Sequence, residues 1–435
     1  MAIKLHIEKV IYGGSGLAHT DEGDAVFVPF TLPGELAEAS LDERKSNFSE
    51  AALLRVLEPS PDRIEPGCLH FGVCGGCHYQ QAFYETQLRI KRDILLETLT
   101  RSGLSSIPEI STLAAEPWAY RNRIRLRIVE VDGKFRVGYL RRGSSEFLPI
   151  QMCLIAAPLL WRAAEALLSV DETSPVWLRA AEEVEFFTTS DQSALQMMLF
   201  LRRQPAPSFE TFCGKLQAKL PELKGVGIAI IERENRNRKA QRVRPGAFWG
   251  ADGLNCSVGE ERYWVSRGSF FQVNRFLIED LVTLVTAHRQ GALAWDLYAG
   301  VGLFSRALAK SFSEVVAVEA SGGDLLRSFR GKGRRAIEAT TVDFLRQAAL
   351  ERDRPDLVVM DPPRAGVGME ACSLLARIRP GEIVYVSCDP VTLGRDLKVM
   401  VDSGYRIHQL HMVDMFPQTF HQETVAILRH DAIKQ

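Results

Sequence analysis

Cys388 lies in the stretch Val384-Tyr385-Val386-Ser387-Cys388-Asp389-Pro390, where an apolar strand ends and the chain turns out to solvent. A lone cysteine is usually a small buried hydrophobe. One flanked by Ser, Asp and Pro at a strand end is instead placed to act as a nucleophile. Asp361 ends a second apolar run, Val358-Val359-Met360, and opens the stiff turn Asp361-Pro362-Pro363-Arg364. Glu423 stands just before a closing apolar strand, at the end of Phe416-Pro417-Gln418-Thr419-Phe420-His421-Gln422-Glu423. A thiol with carboxylates at strand ends can do covalent catalysis with proton transfer.

A second group of residues points to a cofactor. Asp296-Leu297-Tyr298-Ala299-Gly300-Val301-Gly302 follows one strand and precedes a helix, and about 20 residues on the next strand ends in Glu319. Gly300 and Gly302 let a ligand approach the backbone at a helix N-terminus, and Glu319 is placed to bond ribose hydroxyls. Ser305 stands where a dinucleotide fingerprint has its third glycine, which favours S-adenosylmethionine over NAD.

Cys68, Cys74 and Cys77 crowd into ten residues, while Cys153, Cys213, Cys256, Cys372 and Cys388 are scattered. Such a cluster reads as metal or Fe–S before disulfide, and a structural zinc would fit the same thiolates. Arg121, Arg123, Arg125 and Arg127 alternate along one predicted strand and so share a face; Arg141 and Arg142 follow. The stretch Arg233–Arg244 adds six basic residues. Charge runs are usually solvated faces, but beside a barrel and a metal-held segment they suit phosphate contact.

The elements that must position these groups fall into three segments, as 435 residues would allow. Residues 1–58 carry short alternating strands separated by Gly13-Gly14-Ser15-Gly16 and Leu32-Pro33-Gly34-Glu35, and predict a five-stranded OB-like barrel. Pro59-Ser60-Pro61 marks a boundary, and residues 59–250 read as an α+β domain. Its helix Ala82–Leu99 is strongly periodic, and part of 82–110 can pack on the catalytic domain. In residues 251–435 strands at Ala292–Leu297, Glu314–Val318, Leu357–Met360 and Ile383–Val386 alternate with helices at Leu303–Lys310, Met369–Ile378 and Val391–Val401. That rhythm predicts a doubly wound parallel sheet of Rossmann type, so the whole is a multidomain α/β protein. A formal charge of −1 excludes bulk attraction to polyanions. No 18-residue apolar run or leader is found, so a cytoplasmic protein without membrane spans is expected.

These segments resemble, nearly end to end, the bacterial RNA uracil-C5 methyltransferases of the RumA/RlmD and TrmA type. Residues 1–58 are similar to that family's TRAM barrel, residues 61–81 to its iron–sulfur segment, and Trp118-Ala119-Tyr120-Arg121-Asn122 and Phe270-Phe271-Gln272-Val273-Asn274 to two further signatures. Asp361-Pro-Pro-Arg, Ser387-Cys388 and His421-x-Glu423 complete the match. The resemblance implies that Cys68, Cys74, Cys77 and Cys153 ligate a 4Fe-4S cluster. It implies S-adenosylmethionine bound by Gln272, Asp296, Tyr298, Gly300, Gly302, Glu319, Asp343 and Asp361. It also implies Cys388 as nucleophile, Glu423 as base and Asp361 orienting the uracil, on RNA bound by Arg121, Arg123, Arg125, Arg127, Arg141 and Arg142. The barrel and the cysteine cluster resemble the 23S rRNA branch more than the tRNA branch, and a monomer is expected. Leu303 stands where an Asn often contacts the cofactor, so that contact is not carried over. Asp389 replaces the usual Asn, and a carboxylate beside a thiol tends to hold it protonated.

Overall fold

Alternation in the first residues leads directly to a core. Leu5 and Ile7 are buried and Ile3 packs on the same cluster, which Ala18, Val26, Val28, Ala37, Ala39 and Ala51 complete. Among the described residues the strands above it number six rather than five, in spatial order Ala2–His6, Leu36–Arg44, Ser49–Glu58, Ala25–Pro29, Ser15–His19 and Lys9–Val10. Neighbours are antiparallel except Ala25–Pro29 with Ser49–Glu58, paired parallel at Val26↔Ser49 and Phe27↔Glu50. This computed structural model describes residues 2–44, 47–170, 174–203, 208–232 and 243–430.

The chain divides into two compact units, each discontinuous in sequence. The first holds Met1–Pro117, Pro363–Cys372 and Tyr385–Lys434; the second holds Trp118–Pro362 and Ser373–Val384.

In the first unit the barrel leads into a long helix, Tyr84–Arg101, close to the expected span. Ile110–Leu113 pairs parallel with Tyr405–Val413, which pairs antiparallel with Glu423–His430, Val413 facing Glu423. Residues 84–113 thus lie with the C-terminal strands, as the expectation for 82–110 allowed. The helix Pro390–Asp402 approaches closely at Gly394, where an added Cβ would fall 2.2 Å from Ser102 Oγ. One face of Tyr84–Arg101 is polar and buried. Lys91 Nζ donates to Asp414 Oδ1 at 2.6 Å and to the Phe416 carbonyl at 3.0 Å, and the Tyr84 hydroxyl donates to Asp414 Oδ2 at 2.9 Å. Gln87 exchanges hydrogen bonds with the Gln418 side chain at 3.0 Å and its amide N–H at 3.1 Å. Positions 84, 87 and 91 share a face at helical spacing, and together they grip the loop that runs up to Glu423.

The second unit holds a seven-stranded sheet in the order Phe147–Pro149, Lys134–Leu140, Arg123–Val131, Ala181–Thr188, Leu195–Leu201, Leu223–Ile231 and Val243–Gly250. It also holds four parallel strands in the order Arg334–Glu338, Phe312–Glu319, Gly291–Leu297 and Leu357–Met360. The last three match the expected strands to within two residues, and the helices Leu303–Leu308 and Met369–Ile378 fall where predicted. Strand Glu382–Ser387 is shared between the units at Val384 and Tyr385. Most of the basic stretch Arg233–Arg244 lies outside the described residues. Among the described residues no helix is long and apolar enough to cross a membrane.

Lys91 and Asp414 are both fully buried, so removing one partner strands a charge in low dielectric. Lys91→Met is expected to cost about 3–5 kcal/mol of stability. Arg89→Met, which breaks the exposed pair with Asp62, is expected to cost less than about 1 kcal/mol. Urea midpoints of the two variants check this; equal losses would refute it.

Candidate active site

In the second unit, strand Gly291–Leu297 delivers Asp296 into full burial. Its Oδ2 accepts from the Ser305 hydroxyl, while Oδ1 meets no protein donor among the described residues. The chain then turns through left-handed backbone at Tyr298 (φ 61°), Gly300 (φ 57°) and Gly302 (φ 86°). Nothing lies within 4 Å of where a Cβ on Gly300 would sit, so this turn borders open space; at Gly302 it would meet Leu325 at 3.1 Å. Gly300 is thus the approach glycine and Gly302 the packing one. Glu319 accepts from the Gly300 amide at 3.0 Å and the Ser321 amide at 3.0 Å, which fixes its carboxylate and leaves lone pairs for hydroxyl donors.

Asp361 follows strand Leu357–Met360, its amide donating to the Leu297 carbonyl at 3.3 Å. Gln272 Nε2 donates to Asp361 Oδ2 at 3.2 Å. Burial pushes the Asp361 carboxyl up to about 7; the charge of Asp296 adds to this and the Gln272 bond opposes it. Burial likewise pushes Asp296 up to about 7, opposed by Ser305 and reinforced by Glu319. Acids that resist ionising beside one another favour a cation between them. An open turn, a fixed acid for hydroxyls, an orphaned carboxylate oxygen and a positive-seeking pair fit S-adenosylmethionine, whose sulfonium and ribose supply the complementary groups.

Gln272 owes its position to the two sequence signatures, which meet. Asn122 donates from its amide to the Val273 carbonyl at 2.9 Å and from its side chain to the Gln272 carbonyl at 2.9 Å. The Arg275 amide donates to the Tyr120 carbonyl at 2.9 Å. Asn274 Oδ1 in turn accepts from the amides of Phe276 and Leu277 at 3.0 and 3.3 Å. Asp343 was expected to touch the cofactor, and Leu303 was not. Asp343 is exposed in the first turn of helix Thr341–Glu351, bonded by the Thr340 hydroxyl at 2.6 Å and by Arg346 at 3.1 Å, which is a helix-capping role. Leu303 is buried, and its carbonyl accepts from Tyr263 at 2.9 Å.

In the first unit, Cys388 is half-buried and immediately precedes the N-cap of helix Pro390–Asp402. The cap is Asp389, whose Oδ1 accepts from the amides of Val391 at 2.9 Å and Thr392 at 3.0 Å. Its Oδ2 accepts from the Tyr12 hydroxyl at 3.1 Å. Asp389 is therefore not a bare carboxylate beside the thiol, as the sequence suggested. Its charge is spread over a helix N-terminus and a phenol, and the same helix end favours negative charge at Cys388. Glu423 is buried at the head of its strand, and that strand neighbours Glu382–Ser387, which ends beside Cys388. Arg364 is exposed, with one guanidinium nitrogen 3.4 Å from both ring nitrogens of His421. Asp396, fully buried, accepts from the Val367 amide and the Tyr385 hydroxyl, each at 2.8 Å, and so pins the Pro363–Cys372 loop.

Cys68, Cys74, Cys77 and Cys153 are half-buried, yet among the described residues no three His, Cys, Asp or Glu side chains are gathered around one point that could hold a metal ion. The Cys74 amide donates to the His70 carbonyl at 2.8 Å in this loop. The expected basic strand is Arg123–Val131. It lies against strand Ala181–Thr188 in the register Arg127↔Glu183, Arg125↔Glu185 and Arg123↔Phe187. Arg123 pairs with Glu185 at 2.8 Å, Arg125 bonds Glu183 at 2.5 Å and Arg127 lies 3.6 Å from it. Arg141 pairs with Glu146 at 3.0 Å. Arg121 is half-buried in bridges to Ala156 and Asn274, and Arg142 is half-buried too.

The sequence reading passed over Tyr12, Lys91 and Asp396. Lys91 carried a usable signal, a lysine on the apolar face of a strong helix. Tyr12 carried none, since its partner is 377 positions away.

Asp296 also predicts how stability follows pH. Its folded pKa is raised, so the folded chain keeps a proton that the unfolded chain releases, and stability falls as pH climbs from about 4 to about 7. Asp296→Asn is expected to flatten that decline, read as urea midpoints across the window. A variant with the wild-type slope would contradict it.

A profile of the tRNA (uracil-5-)-methyltransferase family matches residues 83–346 and 335–431, and a TRAM domain profile matches residues 3–54. An uncharacterised RNA methyltransferase of Aquifex aeolicus is 34% identical, with 98% of each chain covered. The 23S rRNA (uracil(1939)-C(5))-methyltransferase RlmD of Chromohalobacter salexigens is 32% identical over 98% of this chain and 89% of its own. Among solved structures, the Pyrococcus abyssi tRNA (uracil-54, C5)-methyltransferase, in complex with S-adenosyl-L-homocysteine, has a TM-score of 0.76 over 98% of this chain and 100% of that one. Its identity is 23%, a likeness of fold. By family profile and by full-length relatives, the chain belongs to the tRNA (uracil-5-)-methyltransferase family and is an S-adenosylmethionine-dependent RNA (uracil-C5)-methyltransferase with an N-terminal TRAM domain.

Proposed function

We propose that this enzyme methylates C5 of a specific uridine in 23S rRNA by transient covalent attachment of the base to Cys388. The observation that carries the reading is the pairing of a thiol at a helix N-terminus with a buried carboxyl on the neighbouring strand. Uracil C5 is too weak a nucleophile to take a methyl group unaided. The Cys388 thiolate adds to C6, and C5 becomes enolate-like. S-adenosylmethionine supplies the methyl cation equivalent when bound. C5, now carrying both a methyl group and its original hydrogen, loses that proton to Glu423; the C6–S bond breaks and the thiolate returns.

Gln272 holds Asp361 so that its carboxyl meets the uracil edge, while Asp296, the Tyr298–Gly302 turn and Glu319 serve the methyl donor. The base must leave its stack for this chemistry, which suits a loop or a flipped nucleotide. Arg125, Arg127 and Arg141 keep roughly two-fifths of their side chains exposed, and are the arginines of the expected set best able to reach phosphates. The TRAM barrel and the RlmD relative favour 23S rRNA over tRNA as substrate. An RNA substrate fits a cytoplasmic setting. A 4Fe-4S cluster held by Cys68, Cys74, Cys77 and Cys153 rests on the resemblance of residues 61–81 alone.

The test is tritium release from RNA labelled at uracil C5, with 23S rRNA and tRNA in parallel. Release from rRNA that Cys388→Ala abolishes is expected; an active Cys388→Ala would sink the covalent route. Glu423→Gln is expected to slow release by about 10²–10⁴-fold while a methylated RNA–protein adduct accumulates on denaturing gels. Turnover confined to tRNA would overturn the rRNA assignment.

A further inference from the structure

Tyr12 comes from the N-terminal barrel, yet it touches both loops that bear the chemistry. It sits in the tight turn after Lys9–Val10, closed by the Ile11 amide on the Ser15 carbonyl at 2.9 Å and the Gly14 amide on the Ile11 carbonyl at 3.0 Å. Gly13 (φ 105°) and Gly14 (φ 89°) make that turn possible, and Gly14 fits so closely that a Cβ would meet His78 at 3.1 Å. The turn is therefore set on two sides, by its own geometry and by the segment that follows the barrel.

From this base the Tyr12 hydroxyl donates to Asp389 Oδ2 at 3.1 Å, next to Cys388. Its ring packs edge-on against Phe420 with centroids 5.5 Å apart, three residues before Glu423. Phe420 is itself wedged between His78 at 4.7 Å and His421 at 4.1 Å. Asp389 has its other oxygen on the helix N-terminus, so the Tyr12 bond settles the remaining freedom of this carboxylate. Burial and the neighbouring Asp389 push the Tyr12 hydroxyl well above the usual phenol range, while Arg364 opposes them. It stays protonated, a permanent donor.

We propose that Tyr12 is a positioning residue for the covalent step: its hydroxyl on Asp389 and its ring on Phe420 hold the Cys388 loop and the Glu423 loop in mutual register. The TRAM barrel is then part of the catalytic apparatus as well as an RNA-binding module. The inference rests on the reading of Cys388 and Glu423 as nucleophile and base.

Tyr12→Phe keeps the ring and removes the bond. It is expected to lower kcat for tritium release by about tenfold to a hundredfold, the loss of a hydrogen bond to a charged group. KM for RNA and for S-adenosylmethionine should stay within about twofold. In an Asp389→Ala background the same change should have much less effect, because both act through one bond. Unchanged kcat, an equal loss in the Asp389→Ala background, or a loss confined to KM for RNA would each overturn the proposal. Cys388 alkylation by iodoacetamide, followed by peptide mass spectrometry without RNA or cofactor, provides a readout that does not depend on turnover. An altered rate in Tyr12→Phe supports the clamp even if no tritium is released by wild type; an unchanged rate counts against it. Should Tyr12→Phe fold poorly by thermal melting, Asp389→Asn reaches the same bond from the other side and is expected to perturb alkylation likewise.

Discussion

The Lys91–Asp414 ion pair is the constraint on which the loop leading to Glu423 depends. Both groups are fully withdrawn from water, which is costly, and burial alone would discharge the lysine, lowering its pKa. The pair persists because its donors and acceptors are matched. Asp414 receives Lys91 and Tyr84, and Lys91 spends a second donor on the Phe416 carbonyl. A hydrophobic substitute could fill the volume, but it could not hold a backbone carbonyl at a set point. One helix face thereby fixes the chain one and three residues past a strand end, and Gln87 fixes it again at Gln418. Whatever Glu423 does, it does from a loop that has little freedom left.

Acidic residues are handled in opposite ways in the two units. Asp296 is buried and Asp361 half-buried, each with few donors, so each resists ionisation. Asp389 is surrounded by donors from two directions, two helix amides and a phenol, so its charge is absorbed where it stands. The same side chain is a ligand-seeking group in one environment and a structural cap in the other. Composition cannot distinguish them, because the difference lies in what approaches the carboxylate.

Much of the fold was legible from local pattern. The strand–helix rhythm after residue 290 located Gly291–Leu297, Phe312–Glu319, Leu357–Met360 and Glu382–Ser387, because buried parallel strands are continuous apolar runs that need no distant partner to be recognised. The Tyr298–Gly302 turn was equally readable, since only certain residues accept left-handed backbone. Alternation correctly placed the arginines on one face, but whether that face meets solvent or glutamates depends on a strand some 60 residues later. Spacing along the chain says equally little about how three turns orient three thiols.

The sequence by itself determined which residue types stand at strand ends: Cys388, Glu423, Asp361 and Asp296 were identifiable because a side chain's chemistry and its place in a periodic element are both local properties. The tertiary structure alone decided which of those groups are neutralised, strained or left waiting. The Asp389 charge is settled by Tyr12 and a helix end, the Gln272 position by Asn122, and the approach to Glu423 by Lys91. Each of these is a contact between segments separated by roughly 150 positions or more. Hydrogen bonding and desolvation act over a few ångströms in space, and chain order carries almost no information about which distant groups will share that space.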